Sequence, residues 1–313
     1  MVVVDVVDVG HGNATVIRES GITIVVDAAP GGALLAHLEE FGINYINLFI
    51  LSHADYDHIG GLVAVLSSGI RVERVLLNSD GTKESQAWRD LIFALDDAQR
   101  SGVIEFEVGL TEGHLMVKGL TRCALDVVSP SRALAGLGVG GKSRCLREIT
   151  SNSISAVIRV KEDDHGVALL AGDMDDIALL ELERNSPNIE AELLVYPHHG
   201  GLAGGCDIDK FVDRLLAMVR PSTIAFSNGR GRYDNPRAEV VAAVKRNAAH
   251  GYICCTQLSE RCAERHPDER ARHIERKCAG RVRAEITNGA VEYPLRATHQ
   301  ELISRVVGTP MCS

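Results

Sequence analysis

The sequence predicts an α/β protein, and three observations carry that expectation. Short apolar runs rich in Val, Ile and Leu (residues 2–9, 22–27, 46–51, 167–170 and 191–196) are interleaved with runs of helical period (31–41, 83–100 and 175–184). Several of the β-type runs end in a small group of polar side chains: Asp27, the segment 52–58, Asp173 and the pair His198–His199. The chain of 313 residues is 45% hydrophobic but only 4% aromatic, so its core must be built from Val, Leu, Ile and Ala. That length allows one large domain or two.

Charge and targeting signals narrow the classes. A net charge of −9 argues against a protein that coats nucleic acid by bulk charge, although a local basic groove remains compatible with it. Met1 runs straight into a β-type segment, so no export signal is expected. No apolar run approaches the length of a membrane span. The expectation is a cytoplasmic protein without a membrane partner. Its eight cysteines then read as thiols or metal ligands, not disulfides.

In chain order, residues 2–9, 14–18 and 22–27 read as a meander of strands, the first followed by Gly10-His11-Gly12-Asn13. A short amphipathic helix covers 31–41. The apolar run 46–51 then leads into Ser52-His53-Ala54-Asp55-Tyr56-Asp57-His58-Ile59-Gly60-Gly61, and a helical run follows at 62–66. Four potential ligands, His53, Asp55, Asp57 and His58, fall within six residues. Imidazole with carboxylate suits Zn²⁺, Mn²⁺ or Fe²⁺. So many ligands in one loop cannot all reach one tetrahedral ion; they suit two neighbouring ions, with His53 and Asp55 on one and Asp57 and His58 on the other.

The His-x-Asp-x-Asp-His pattern resembles the HxHxDH signature of the metallo-β-lactamase superfamily. With Asp55 in place of the second His, it is similar to the branch containing the metallo-β-lactamase domain of the DNA-uptake channel ComEC and its stand-alone relatives. The resemblance spans about residues 2–255 and implies an αββα sandwich, with 256–313 a C-terminal extension closing it. Asp8 to Ala14 resembles the opening DVGQGDA-type segment, with His11 and Asn13 where Gln and Asp are usual. The resemblance gives Asp27 the task of orienting the ligand loop. His11 is open between that task, a substrate contact and a turn histidine bonded to backbone.

Further along, 70–77 reads as a strand and 83–100 as a helix whose Trp88 packs helix to sheet. Segments 103–108, 114–117 and 124–128 read as strands of the sheet centre. Residues 129–151 form a Gly-rich loop with Arg132, Lys142, Arg144 and Arg147, open between a clamp for an anionic substrate and an ordinary solvated loop. Asn152-Ser153 stands where other superfamily members place a further His; one of the two is expected as a weak ligand or water contact, giving an oxygen-rich first site. Ala171-Gly172-Asp173 resembles the strand end whose Asp bridges both ions. Pro197-His198-His199-Gly200 matches the branch's PHHG motif; one His is expected to close the second site and the other to face substrate, and sequence does not say which. Arg230, Arg232 and Tyr233 read as phosphate contacts, and Asn235 replaces the branch's His. From Cys254 on, Cys255, Cys262 and Cys278 with one His, such as His266, or Cys254 read as a small structural zinc knot, the alternative being reduced thiols beside a charged loop. Residues 261–283 carry eight Arg or Lys against four acids. A closing hairpin is expected over 281–293, turning at Asn288-Gly289.

The function these readings imply is hydrolysis by a dinuclear metal-activated hydroxide. The ions, Zn²⁺ or Mn²⁺, would be held by His53, Asp55, Asp57, His58, Asp173 and His198 or His199, lowering the pKa of a bound water from about 15.7 toward 7. Asp57, His198 and His199 are the candidate catalytic groups. Asn152, Ser153, Lys142, Arg144, Arg230, Arg232 and Tyr233 are the candidate substrate contacts, and a nucleic acid, DNA foremost, is the expected substrate. Hydrolysis of a small ester, lactone or phosphoester, and a non-catalytic nucleic-acid-binding or scaffold role, are the competing readings.

Overall fold

The computed structural model describes residues 1–312 except 186, 249–250, 264–277, 288 and 308–309. Its strands are β1 (Val2–Val6), β2 (Thr15–Glu19), β3 (Ile22–Val26), β4 (Tyr45–Ile46), β5 (Leu48–Leu51), β6 (Arg71–Val72), β7 (Arg74–Leu77), β8 (Glu105–Val108), β9 (Gly113–Leu115), β10 (Cys123–Ser129), β11 (Val157–Glu162), β12 (His165–Leu170), β13 (Leu193–Val195), β14 (Thr223–Phe226), β15 (Tyr252–Cys255), β16 (Val282–Thr287) and β17 (Ala290–Glu292). The helices are α1 (Ala33–Glu40), α2 (Tyr56–Ile59), α3 (Leu62–Ser67), α4 (Gln86–Arg100), α5 (Arg132–Leu137), α6 (Asp176–Asn185), α7 (Ile208–Val219), α8 (Ala238–Asn247) and α9 (Arg296–Val306). Short 3₁₀ turns cover Asn152–Ile154 and Pro197–Gly200.

Among the described residues two large sheets form, in the orders β17-β16-β1-β2-β3-β5-β7-β8 and β15-β14-β13-β12-β11-β10-β9. They face each other across an apolar layer that joins Val4, Ile24 and Leu48 of one sheet to Ile158, Leu170 and Leu193 of the other. On the outer face of the first sheet, Val25, Phe49 and Val75 meet Leu34, Leu62, Trp88 and Leu91 of the helices. On the outer face of the second, Leu169, Leu194 and Ile224 meet Leu179, Phe211, Leu215, Val240 and Ile303. Four layers result, an αββα sandwich. The all-apolar sequence of β5 follows from this: it is buried on both faces and reads as a continuous run.

One expectation about the sheets is corrected. The segments read as sheet centre at 103–108 and 114–117 become β8 and β9, each the edge strand of its sheet. Their alternating polar residues, Glu105 and Glu107 among them, are what an edge tolerates. Residues beyond 255 supply β16 and β17, which continue the first sheet by antiparallel pairing of β16 with β1, and α9.

The topology places the chemistry. The parallel strands β3 and β5 of one sheet and β12, β13 and β14 of the other all end at the same rim of the sandwich. Side chains just past those ends converge there, the usual position for a site in α/β architecture.

Candidate metal centre

The loop after β5 turns at once into the one-turn α2, which puts His53, Asp55, Asp57 and His58 around a tight corner. That corner is fixed from below: Asp27, just past β3, accepts from the Ser52 amide at 2.7 Å and the Ser52 hydroxyl at 2.9 Å, and meets His58 Nδ1 at 2.7 Å. Gly12 makes room, because a Cβ there would lie 2.3 Å from the Asp57 carbonyl. The second sheet contributes Asp173 after β12. Gly172, at φ +52°, sits so close to Ser155 Oγ that a Cβ would clash at 2.4 Å. His198 and His199 follow β13 and both hold left-handed backbone, φ +53° and +56°. Two successive non-glycine residues in that region are costly and turn up where a site imposes them.

The distances divide the donors into two sets. His58 Nε2 lies 3.0 Å from Asp173 Oδ1 and 3.2 Å from His199 Nε2. His199 Nε2 is 3.4 Å from Asp173 Oδ1 and 3.3 Å from Asp57 Oδ2. A tetrahedral ion bound at about 2.0–2.1 Å needs its ligand atoms about 3.3–3.4 Å apart, so this inner set matches the requirement. The outer set is wider: His53 Nε2 is 3.8 Å from both Asp55 Oδ2 and Asp173 Oδ2, and His198 Nδ1 is 3.2 Å from Asp173 Oδ2. Asp173 therefore turns one oxygen to each set.

The hydrogen bonds show which nitrogens carry lone pairs into the centre. His58 Nδ1 is held by Asp27, and His199 Nδ1 donates to the Ser227 carbonyl at 2.8 Å. His53 Nδ1 meets the hydroxyls of Ser52 at 3.0 Å and Ser155 at 3.2 Å. With Nδ1 engaged, each ring presents Nε2 inward as an acceptor, the arrangement of metal-bound histidines. His53 Nε2 and Asp173 Oδ1 are buried with no hydrogen-bond partner. A cluster of buried acceptors facing one another is unfavourable unless a cation joins them, and these residues fit divalent metal.

Electrostatics agree. Burial would raise the Asp57 carboxyl, but its contacts with His11 and His199 and the charge of His58 hold it far below the carboxylate range. Asp173 is likewise held well down, against burial, by His58 and His199. Burial opposes charge on His58, yet Asp173 and Asp27 outweigh it and push that imidazole well up. The two carboxylates stay ionised, and their negative charge is what draws a proton to His58 and would draw a metal cation in its place.

The other sequence-predicted residues divide. His11 is not bonded to backbone through its Nε2; that atom meets Asp57 Oδ2 at 3.2 Å, and the ring lies between those of His199 and Tyr233. Asn152 Nδ2 reaches His198 Nδ1 at 3.2 Å. Ser153 is corrected: it is fully buried and its hydroxyl donates to Asp175 at 2.6 Å, away from the centre. The Gly-rich clamp is corrected too. Lys142 pairs with Glu148 and Arg144 with Glu181, and neither lines the cleft, because these acids of the loop and of α6 draw them outward. Arg230 lines the cleft, but its guanidinium donates to the Leu258 and Ala263 carbonyls at 2.7 and 2.6 Å and so holds the following segment. Arg232 and Tyr233 stand on the rim of the cleft, whose volume is about 700 Å³.

The proposed zinc knot does not assemble among the described residues. Cys255, Cys262 and Cys278 form no three-ligand group there, and His266 lies outside them. Cys278 Sγ instead meets His299 Nε2 of α9 at 3.0 Å, and burial pushes the thiol up to about 12. All eight cysteines are free.

Sequence reasoning missed Ser52, Ser155, Ser227, Lys83 and Arg237. Ser52 adjoins the ligand loop and Ser155 follows the Asn152-Ser153 segment, so their positions were on view, but their partners were not. Lys83 and Arg237 carry no local signal.

Fold and site together define a class: an αββα sandwich whose rim gathers imidazole and carboxylate groups placed to hold divalent metal. Residues 7–114 match the sequence profile of the metallo-β-lactamase superfamily. The chain is similar to ComE operon protein 3 of Bacillus subtilis (strain 168), 23% identical over 273 residues; the match covers 78% of this chain and 31% of that protein. The fold is similar to that of the metallo-β-lactamase fold protein YhfI from Bacillus subtilis (10% identity, TM-score 0.50, 82% of this chain and 96% of that one). It is equally similar to that of Tm1679, a metal-dependent hydrolase of the β-lactamase superfamily (14% identity, TM-score 0.50, 82% and 96%). No helix among the described residues is long and apolar enough to cross a membrane.

Proposed function

We propose that the protein is a metal-dependent phosphodiesterase acting on nucleic acid, DNA foremost. The observation that carries this reading is the pair of donor sets sharing Asp173 at the floor of an open cleft rimmed by Arg232, Arg237 and Tyr233. His58, His199, Asp57 and Asp173 would hold one divalent ion and His53, Asp55 and Asp173 the other, leaving His198 free of metal at the mouth. When bound, such ions supply a nucleophile at neutral pH and neutralise charge that develops on phosphoryl oxygens.

The chain's own groups do the rest. Arg232 and Arg237 attract the phosphate backbone to the mouth of the cleft, a role for which a cation fork is suited. Asp57 holds a fixed orientation because His11 and His199 both contact Oδ2. His198 is about a third exposed, and its hydrogen bond to Asp173 raises its pKa against burial. It is the group placed to carry a proton toward the departing oxygen. The resemblance of the ligand motifs to the DNA-uptake branch supports the choice of nucleic acid.

The test is cleavage of labelled single- and double-stranded DNA, RNA and bis-(p-nitrophenyl) phosphate with Mn²⁺ or Zn²⁺, using wild type and Asp173→Asn. Cutting by wild type that falls about a hundredfold or more in the variant is expected. Metal-loaded wild type that leaves every substrate intact would falsify the reading. A second reading, hydrolysis of a small ester or phosphoester, is favoured by the net charge of −9. It predicts turnover of the small diester alone, without the salt dependence of polymer binding.

A further inference from the structure

The outer donor set differs from the inner one in a respect that ligand identity does not show. Asp55, one of its two carboxylates, accepts a hydrogen bond from the ammonium of Lys83 through Oδ1, while Oδ2 faces His53. Lys83 does not reach in from a loose surface. It sits in the segment between β7 and α4, which is tied down on several sides. The Lys83 amide donates to the Asp80 carbonyl at 3.3 Å, and Trp88 Nε1 donates to the same oxygen at 3.2 Å. Asp80 Oδ1 accepts from the Thr82 amide at 3.0 Å and hydroxyl at 2.8 Å, and Oδ2 accepts from Ser151. Asn78 Nδ2 reaches across to the Ile154 carbonyl at 3.1 Å. The ammonium is therefore presented to Asp55 by a buttressed segment joined to the second sheet.

A lysine there acts on the outer set in two ways. It takes up part of the charge and one oxygen of a carboxylate that an ion would need. It also places a fixed positive charge within a few ångströms of where a dication would sit, in a partly buried setting where screening is weak. Among the described residues the inner set carries no such partner. Its carboxylates, Asp57 and Asp173, meet only histidines, and its spacing already suits an ion.

Resting on the metal-dependent reading above, we infer that Lys83 is an intrinsic cation that keeps the outer set empty at low metal: the protein holds one ion tightly in the inner set and takes a second only weakly, when the ammonium gives up Asp55. Ion occupancy is then set by a residue of the chain as well as by its ligands. Oδ2 of Asp55 stays open toward His53, so the second ion is opposed by charge and not by bulk.

The experiment is metal content of desalted protein by elemental analysis, with Mn²⁺ titration calorimetry, on wild type, Lys83→Met, Lys83→Arg and the remote control Lys142→Met. Circular dichroism verifies folding of each. Wild type, Lys83→Arg and Lys142→Met are expected to retain about one ion per chain. Lys83→Met is expected to retain about two, with the second ion bound at least about tenfold more tightly than in wild type. Two tightly held ions in wild type, or one in both wild type and Lys83→Met, would overturn the inference. Folded protein that binds no ion in any form would overturn the metal-dependent reading itself, and this inference with it.

Discussion

At the scale of single residues, Asp27 decides how the centre is wired. It holds φ +63°, a conformation that Asp and Asn tolerate better than other side chains, and it serves four contacts: the amide and hydroxyl of Ser52, His58 Nδ1 and Asn13 Nδ2. Asp27→Asn would keep the backbone and most of the shape. Its amide, however, can present only one acceptor oxygen, and the Ser52 amide claims an acceptor. The new NH₂ then faces His58 Nδ1, which must become the acceptor, so the His58 proton moves to Nε2 and points into the inner donor set. We expect metal affinity to fall about 10–100-fold with little change in secondary structure, read by titration calorimetry and circular dichroism. An unchanged affinity would show that Asp27 does not set the tautomer. Much of this was legible in sequence at the level of identity: the four polar residues of 53–58, Asp173, the His pair and Asp27 are all on view as a pattern. Their partition was less so. Nothing local says that His199 turns inward while His198 stays near the mouth, because that depends on two left-handed residues in succession. Nor does it say that Ser155 reaches His53 from 102 residues away.

At the scale of elements, the C-terminal hairpin is joined to the sandwich by charge as well as by pairing. Asp5, in the middle of β1, is fully buried and lies opposite Arg283 of β16. Arg283 grips it through Nε at 2.7 Å and a terminal nitrogen at 2.9 Å, and Arg18 of β2 adds a third bond at 3.0 Å. Arg18, Arg281 and Arg283 all stack near the Phe41 ring, at 4.3 to 4.8 Å from its centre. One carboxylate thus secures three strands. Asp5→Ala leaves the guanidinium groups without their acceptor, and because the arginines keep some solvent contact we expect a loss near the lower end of the range for breaking such a pair, about 3 kcal/mol, read as a shift of the urea midpoint. A loss below about 1 kcal/mol would show that backbone pairing alone fastens the hairpin. The hairpin itself was legible from its strand pattern, while Asn288 of the expected turn lies outside the described residues. The Gly-rich segment 129–151 stayed open between a clamp and a solvated loop because composition shows that cations are present but not which acids meet them. Glu148 and Glu181 take Lys142 and Arg144, and only the fold brings α6 beside that loop.

At the scale of the molecule, the two sheets are separate bodies of β structure whose rims must stay in register for the centre to exist. The apolar layer between them sets their spacing but is non-directional and fixes no register. Directional ties lie at both ends of the sandwich. At the metal rim the Ala156 amide donates to the Ser52 carbonyl at 2.8 Å. At the far end Glu19 of β2 accepts from the amides of Thr121, Arg122 and Cys123 and the hydroxyl of Thr121, all within 3.1 Å, and those bonds hold its carboxyl low although burial acts to raise it. The donor sets add a third tie, since His53, Asp57 and His58 come from one sheet and Asp173, His198 and His199 from the other. Without a cation, that tie is a meeting of buried acceptors and weakens the rim. An ion that binds the folded protein and not the unfolded chain stabilises it by about 2.7 kcal/mol at a hundredfold excess over its dissociation constant. Chelation should therefore lower the melting temperature by several degrees, re-addition of the ion should restore it, and Asp173→Asn should respond far less, because it loses the one side chain that faces both sets. Differential scanning calorimetry with and without chelator reads all three. A melting temperature indifferent to chelator in protein shown to bind metal would mean that the ion does not bridge the sheets, and that the rim is held by the apolar layer and by hydrogen bonds such as Ser52–Ala156 and Ser155–His53.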